Sequence, residues 1–525
     1  MSPRHLVPVL GLLLACTGPQ RPAPAVTEPA PVAAPTPAPA PRPVRVVALA
    51  NPDDPLVTVR VVFESGSADD PPGQEGLTRL TARLMAEGGT EPLDTAAFAR
   101  SLFPLAARVD FYVDRDMTTF TGQVHRDHAA AFYALLRDVL LRPRLGADDF
   151  TRLRTQTRSS LTMGLRGSND EELGKEALQA LLYRGHPYAH PALGTEAGLD
   201  GLTIEAVRAH RARVFSRARV LGGIAGAFPP ALEESLRADL AALPPGDDTR
   251  APLPSPVRPE GMRVLLIDKP AASATAVSFG RPLSITRNDP DHAALQLVTS
   301  YLGLHRQSVG VLYQTIREAR GLNYGDYAYA EHYVQESSGR FPRPNLQRRQ
   351  QYASVWLRPV PNRAAHFALR AAVRALDRVA TAGVPPDDVT RVRGFLGGYV
   401  GLYTQTASTR LGYSLDDLWA GASGTWADRQ RAAWASVDTP LTQRLAAEHL
   451  GVRDQWVVIV TPNAQALAEA LVADAPSPIT YDSPKPAEVL AEDQEIAAFP
   501  LRVRREDVRV VPVAEVFARG DWLRW

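Results

Sequence analysis

Among the residues of this chain that could hold a metal or a covalent group are eleven histidines and a single cysteine. Two His pairs lie close in sequence, His125 with His128 and His186 with His190. A zinc centre needs three or four His, Cys, Asp or Glu ligands. The first pair falls where an apolar strand, Thr118–Val124, turns into a helix, and no third ligand or general base follows at helical spacing. The second pair encloses Pro187 and reads as a loop. Neither is expected to bind a metal. The one cysteine, Cys16, excludes an intramolecular disulfide and any cysteine-rich zinc or iron–sulfur site. With 58 Lys and Arg against 57 Asp and Glu the formal charge is +1. No basic field exists to hold nucleic acid non-specifically, so no nucleic-acid partner is expected. At 45% hydrophobic, the 525 residues can bury substantial cores.

Cys16 has a telling position. Arg4 and His5 give a basic start, and Leu6–Ala15 is an apolar run too short to span the ~30 Å of a bilayer core as a helix. The run ends Leu13-Leu14-Ala15-Cys16, which resembles the lipobox of bacterial lipoproteins. That resemblance implies a signal peptide over 1–16, lipidation at Cys16, and a periplasm-facing address in the cell envelope. Thr17, where an Asp would favour inner-membrane retention, implies the outer membrane over the inner one. Residues 17–43 are a Pro/Ala-rich linker, which favours extended polyproline II and serves as a spacer.

The elements after the spacer come in two rounds. Val44–Leu49 and Leu56–Phe63 read as strands, followed by a helix with Leu77, Leu80 and Leu84 on one stripe. The order returns about 217 residues later as strands Val264–Ile267 and Ala274–Phe279 and a helix with Leu295, Val298 and Leu302. Each half closes on a helix and a strand: Thr203–Phe215 before Val220–Ile224, and Thr439–Leu450 before Trp456–Val460. Between these lie amphipathic helices at Asp148–Leu165 and Asp170–Tyr183, and a stripe of Leu369, Val373, Leu376 and Ala380 that stops at Gly383. The pattern predicts an α+β fold of two similar domains, each a mixed or antiparallel sheet covered by helices, at 44–243 and 262–480. A Pro-rich hinge, 244–261, joins them into a half-clamshell. The extension 481–525 has no assigned role, although Val508–Val513 reads as a strand.

Several short motifs occur in a fixed order: Phe63-Glu64-Ser65-Gly66-Ser67-Ala68-Asp69-Asp70-Pro71, Gly76-Leu77, Gly88-Gly89-Thr90, His186-Pro187-Tyr188, Gly194-Thr195, and Gly321-Leu322-Asn323-Tyr324. In this order the chain resembles the pitrilysin, insulinase and mitochondrial processing peptidase superfamily of zinc metallopeptidases, family M16, over nearly all of residues 44–475. Active members carry His-x-x-Glu-His on the helix after the Gly-Leu: two His one turn apart grip zinc and the Glu activates its water. The positions here read Arg79, Ala82 and Arg83. Guanidiniums offer no lone pair and remain cationic, so they would repel zinc. Arg83 is spaced to pair with Glu87. The family's third ligand maps near Ser159–Met163, which contains no acid. The resemblance therefore implies no metal and no cofactor in this chain.

The same resemblance implies that Arg317 and Tyr324 match an Arg/Tyr pair which, in the C-terminal domain of the superfamily, reaches the substrate. The Arg binds carbonyls of the cleaved peptide, and the Tyr hydroxyl supports the oxyanion. His305-Arg306-Gln307-Ser308 replaces the Gly-rich loop usual before this motif. Bacterial members often pair a chain with the zinc motif and a chain with the Arg/Tyr pair. The expected function is a non-catalytic, substrate-binding subunit, inactive alone, partnered with a zinc-bearing M16 paralogue that hydrolyses peptides or unfolded polypeptides. The alternative is a proteolytically dead structural or binding protein of the envelope.

Overall fold

The computed structural model describes residues 43–335 and 339–525. The expected signal 1–16, its Cys16 and all but the last residue of the expected linker 17–43 lie outside the described residues. Among the described residues no helix is long and apolar enough to cross a membrane.

Two open sheets carry the fold. The first contains β1 (Arg45–Ala50), β2 (Leu56–Phe63), β3 (Arg108–Val113), β4 (Thr118–His125) and β5 (Val220–Gly226), in the spatial order β1-β5-β2-β4-β3. The second contains β6 (Arg263–Asp268), β7 (Thr275–Leu283), β8 (Asp326–Tyr329), β9 (Gln351–Val360), β10 (Trp456–Thr461) and β11 (Val508–Pro512), in the order β11-β6-β10-β7-β9-β8. Dropping β11 leaves the same order and directions in both: one parallel pair, β1 with β5 and β6 with β10, then three antiparallel neighbours. The repeat in sequence is thus a repeat of topology, and the α+β reading in two similar domains holds. The strand expected at Val508–Val513 is β11, and its partner is this chain's own β6.

The apolar stripes point where their spacing placed them. Leu77, Leu80 and Leu84 are fully buried on helix Leu77–Glu87, as are Leu295, Val298 and Leu302 on helix His292–Gly303. Helix Ala365–Ala382 ends at Gly383, where φ is 74°. Two expected helices end in π-helical turns: Ala147–Ser159 continues as Ser160–Gly167, and Thr439–Leu445 as Ala446–Leu450.

The domains exchange helices. Helix Asp170–Leu182, from the first half, packs on β7 and β10 of the second sheet, where Leu173, Ala177 and Leu181 share a core with Leu265, Ile267, Val458 and Val460. Helix Ala407–Ala420, from the second half, returns onto the first sheet, where Leu411 and Leu415 meet Val62, Leu221 and Ala225. Residues 244–259 run between the halves without regular structure. They are fastened along the way, with Arg219 Nε donating to Asp247 O at 2.7 Å and Gln350 Nε2 to Pro254 O at 2.8 Å.

Candidate functional site

The helix that should carry the metal motif starts at a junction of the sequence motifs. Asp70 accepts from the backbone N of Gly76 (2.8 Å) and Thr78 (2.7 Å) and from the Thr78 hydroxyl (2.6 Å), giving the free N–H groups of the first turn a carboxylate. Gly76 has φ 104°, and a Cβ there would meet Gly194 Cα at 3.1 Å and Leu199 Cδ2 at 2.9 Å. Thr195 donates to Glu75 Oε2 at 3.3 Å. Asp70, Gly76, Gly194 and Thr195, distant in sequence, therefore build one helix start.

On that helix the three metal-motif positions are occupied structurally. Arg79 lies with its guanidinium 5.6 Å from the centroid of the Phe111 ring. Ala82 is fully buried in the first domain's core. Arg83 pairs with Glu87 at 3.0 Å, the expected i+4 partner, and also donates to Thr157 Oγ1 (3.2 Å) and Gln156 Oε1 (2.9 Å). Those last two residues lie just before the expected third-ligand window. The residues of helix Ala147–Ser159 that face Arg83 are Gln156 and Thr157, just before Ser159–Met163. The window itself enters the π-helical stretch, which rotates side chains away from the spacing of a regular helix. Neither facing residue is an acid. Among the described residues no group of three His, Cys, Asp and Glu is arranged to hold a metal ion.

The histidine pairs are used otherwise. His125 and His128 are exposed at a 3-10 turn after β4. His186 Nδ1 accepts from Tyr188 N at 3.0 Å and its ring packs 4.6 Å from that of Tyr188, while His190 Nδ1 sits 3.1 Å from Pro191 O.

Arg317 and Tyr324 are brought together. Arg317 lies on a π-helical turn, Tyr313–Glu318, and its guanidinium sits 5.7 Å from the centroid of the Tyr324 ring. Gly321, with φ 70°, reverses the chain between them, and Asn323 closes the turn by donating to Asp326 Oδ1 (2.6 Å) and Arg358 O (3.0 Å). Tyr324 is 81% exposed, the posture of a group offered outward. A cation and a phenolic donor side by side on a turn can bind carbonyl oxygens and stabilise an oxyanion that another group generates. Neither can activate water. No hydrogen bond among the described residues joins this pair to Arg79 or Arg83, which belong to the other domain.

The loop at His305 is part of the core. His305 is buried, its Nδ1 2.7 Å from the Tyr329 hydroxyl, and its ring packs on Tyr327 and Tyr333 at 4.7 and 4.6 Å. Sequence reasoning missed Arg320, Lys485, Glu492 and Asp493, which surround the Arg317–Tyr324 turn. No local signal marked them, since Arg320 stands among other charged and polar residues, Arg317, Glu318 and Asn323.

Residues 45–196 match the sequence model described as insulinase, peptidase family M16, and residues 201–396 match that of the peptidase M16 inactive domain. A protein of Helicobacter pylori named non-peptidase homolog YmxG is 24% identical over 276 residues, which cover 52% of this chain and 62% of that relative. The chain thus spans under two thirds of that relative's length. A peptidase M16 inactive domain from Pseudomonas fluorescens superposes with a TM-score of 0.70 at 20% identity, over 80% of this chain and 96% of that one. A protease from Helicobacter pylori superposes with a TM-score of 0.67 at 13% identity, over 80% and 97%. At these identities the two structures speak to fold.

Proposed function

The chain belongs to the insulinase family, peptidase family M16, as an inactive-type member, and from that premise we propose that it is the substrate-binding subunit of a heteromeric zinc peptidase. The observation that carries this reading is asymmetric: the zinc positions have been rebuilt as Arg79, Ala82 and Arg83, while Arg317 and Tyr324 remain adjacent, with Tyr324 open to solvent. In this reading the zinc, the general base and the water belong to an M16 paralogue. This chain closes the chamber and presents Arg317 to peptide carbonyls and Tyr324 to the developing oxyanion. The substrate is a peptide or unfolded polypeptide in extended form, added edgewise to a sheet.

The test is reconstitution. The chain alone should bind no stoichiometric zinc and cleave no peptide. Co-expressed with a paralogue bearing His-x-x-Glu-His it should support hydrolysis, and Tyr324→Phe should lower turnover by about 10²–10³-fold, the usual effect of losing an oxyanion donor, with the complex still forming. Turnover unmoved by Tyr324→Phe would defeat the reading and favour the alternative, a binding or structural protein of the envelope that kept the fold.

The lipobox-like Leu13-Leu14-Ala15-Cys16 supports placing the pair at the periplasmic face of a membrane, the outer one favoured, with the linker as a spacer. Cys16→Ala should then move the chain from the membrane pellet to the soluble fraction; retention in the pellet would dispose of the lipid anchor.

A further inference from the structure

The segment from Tyr481 onward has no counterpart in the duplicated halves, and its first helix packs against the stretch that bears Arg317 and Tyr324. Arg320 lies between those two residues in sequence, and its side chain is fully enclosed. Its guanidinium is shared out completely. Nε donates to Asp493 Oδ1 at 2.7 Å, Nη2 to Glu492 Oε2 at 3.0 Å, and Nη1 to the carbonyl of Thr315, inside the π-helical turn, at 2.8 Å. One residue earlier, Lys485 Nζ donates to the Ala319 carbonyl at 2.9 Å. Lys485 and helix Ala487–Ala497 thus grip both the side chain and the backbone of the segment.

The gripping helix is itself anchored. Arg374, on helix Ala365–Ala382, pairs with Glu492 at 3.0 Å and with Glu495, and the Tyr481 hydroxyl donates to Asp493 Oδ2 at 2.8 Å. Burial would raise the Glu492 carboxyl, but hydrogen bonds and charge from Arg320 and Arg374 hold it below the ordinary range. Farther along, β11 joins β6, and Phe517 and Trp522 enter the first domain's core. Tyr324 has little packing of its own beyond the Arg317 guanidinium. Its position is inherited from the backbone, and the backbone's from Arg320 and Ala319.

We infer that the C-terminal extension is a brace for the Arg317–Tyr324 segment, with Lys485, Glu492 and Asp493 as positioning residues that act through Arg320 and the Ala319 carbonyl. The inference rests on the reading of Arg317 and Tyr324 as substrate-side groups. A donor on a loose loop must be ordered at every encounter, whereas a preorganised one has that cost met in folding. Removing both carboxylates from the buried guanidinium leaves its charge uncompensated, so the segment would release and not relax in place.

The test uses the full chain with Asp493→Asn and Glu492→Gln, singly and together, and Asp493→Glu as the conservative rescue. In hydrogen exchange of the chain alone, amides of 313–325 should exchange about tenfold or more faster in the double variant. They should stay near wild type in Asp493→Glu, with β2 and β4 unchanged. Unaltered exchange at 313–325, or equal acceleration everywhere, overturns the brace. In the complex with a zinc-motif paralogue and a fluorogenic peptide as probe, the double variant should lower kcat and raise KM while assembly persists. A turnover that falls with Tyr324→Phe but not with the double variant overturns the positioning role. Faster exchange at 313–325 with turnover indifferent to both changes sustains the brace and overturns the substrate-side reading alone.

Discussion

Ala82 shows how fully one position can change its occupation. A zinc peptidase needs an acid there, facing water and a metal; here a methyl group fills a packed site, and Arg83 spends its donors on Glu87, Thr157 and Gln156. His305 makes the converse point, since a residue that could titrate is held neutral. Burial above all, then the charges of Arg306 and Lys175, pull its pKa down to about 3 from an ordinary 6.5. Between those values the unfolded chain binds a proton that the folded chain refuses. The contribution of His305 to stability is therefore complete above pH 6.5 and is lost as pH falls towards 3. From pH 7 to pH 5 the loss from this one group amounts to about 2 kcal/mol at 1.36 kcal/mol per unit. His305→Gln keeps an acceptor near the Tyr329 hydroxyl and cannot titrate. Urea unfolding should find it less stable than wild type at pH 7.5, yet the decline between pH 7 and pH 5 should shrink by about that 2 kcal/mol. An undiminished decline would mean that other groups set the acid sensitivity.

At the scale of elements, the legible part of the sequence was the part governed by local chemistry. β2 (LVTVRVVF) was readable to the residue because a β-branched run is bounded by a Pro-containing turn and by Ser-Gly-Ser. The helix stripes were readable because a core selects apolar residues at helical spacing. β3, β8 and β9 went unread: β3 and β8 each carry an Asp among their aromatic residues, and β9 mixes Gln, Ser, Arg and a Pro into its apolar run. The widening of the helix at Ser160, inside the third-ligand window, was equally out of reach, because counting along the chain assumes an unbroken helix. The helix exchange was beyond reach for a different reason. Gly223 on β5 allows Leu411 of the other half to approach so closely that a Cβ would stand 2.8 Å from its Cδ1. In sequence it is one of two adjacent glycines in a strand, which signals a close approach without saying by what. Of the candidate site, Arg317 and Tyr324 were legible through their motif. Their support from Lys485, Glu492 and Asp493 comes from more than 160 residues away, and no local rule reaches that far.

On the scale of the whole molecule, the exchanged helices leave the two domains joined through a dry ionic seam, and its energetics decide whether they behave as one body. Arg348, just ahead of β9, donates to both oxygens of Asp114, in the turn between β3 and β4, at 2.6 and 2.7 Å, and to Gln179 at 2.9 Å. Neither charge is more than 2% exposed. Next to it, Asp116 accepts from Arg250 at 2.8 Å, from Arg349 at 3.0 Å and from the Tyr188 hydroxyl. Burial alone would raise Asp114, but the Arg348 guanidinium overrides it and holds the carboxyl well below its usual range. The contribution of that pair is present above the unfolded value near pH 4 and lost only below it, a lower window than that of His305. A buried pair of this kind repays its desolvation chiefly through mutual attraction, so losing one partner costs far more than losing both. Asp114→Ala should lower stability by about 3–5 kcal/mol, as should Arg348→Met, because each strands a charge in the seam. The double variant Asp114→Leu with Arg348→Met should lose less than the sum of the two by at least ~2 kcal/mol. With the seam intact, tryptophan fluorescence and far-ultraviolet circular dichroism should trace one coincident urea transition, since each sheet is capped by a helix of the other domain and neither can unfold without stripping its neighbour. Additive losses would show that Asp114 and Arg348 do not couple and that the seam only decorates the contact, and two separated transitions in the wild-type chain would show that the domains unfold independently.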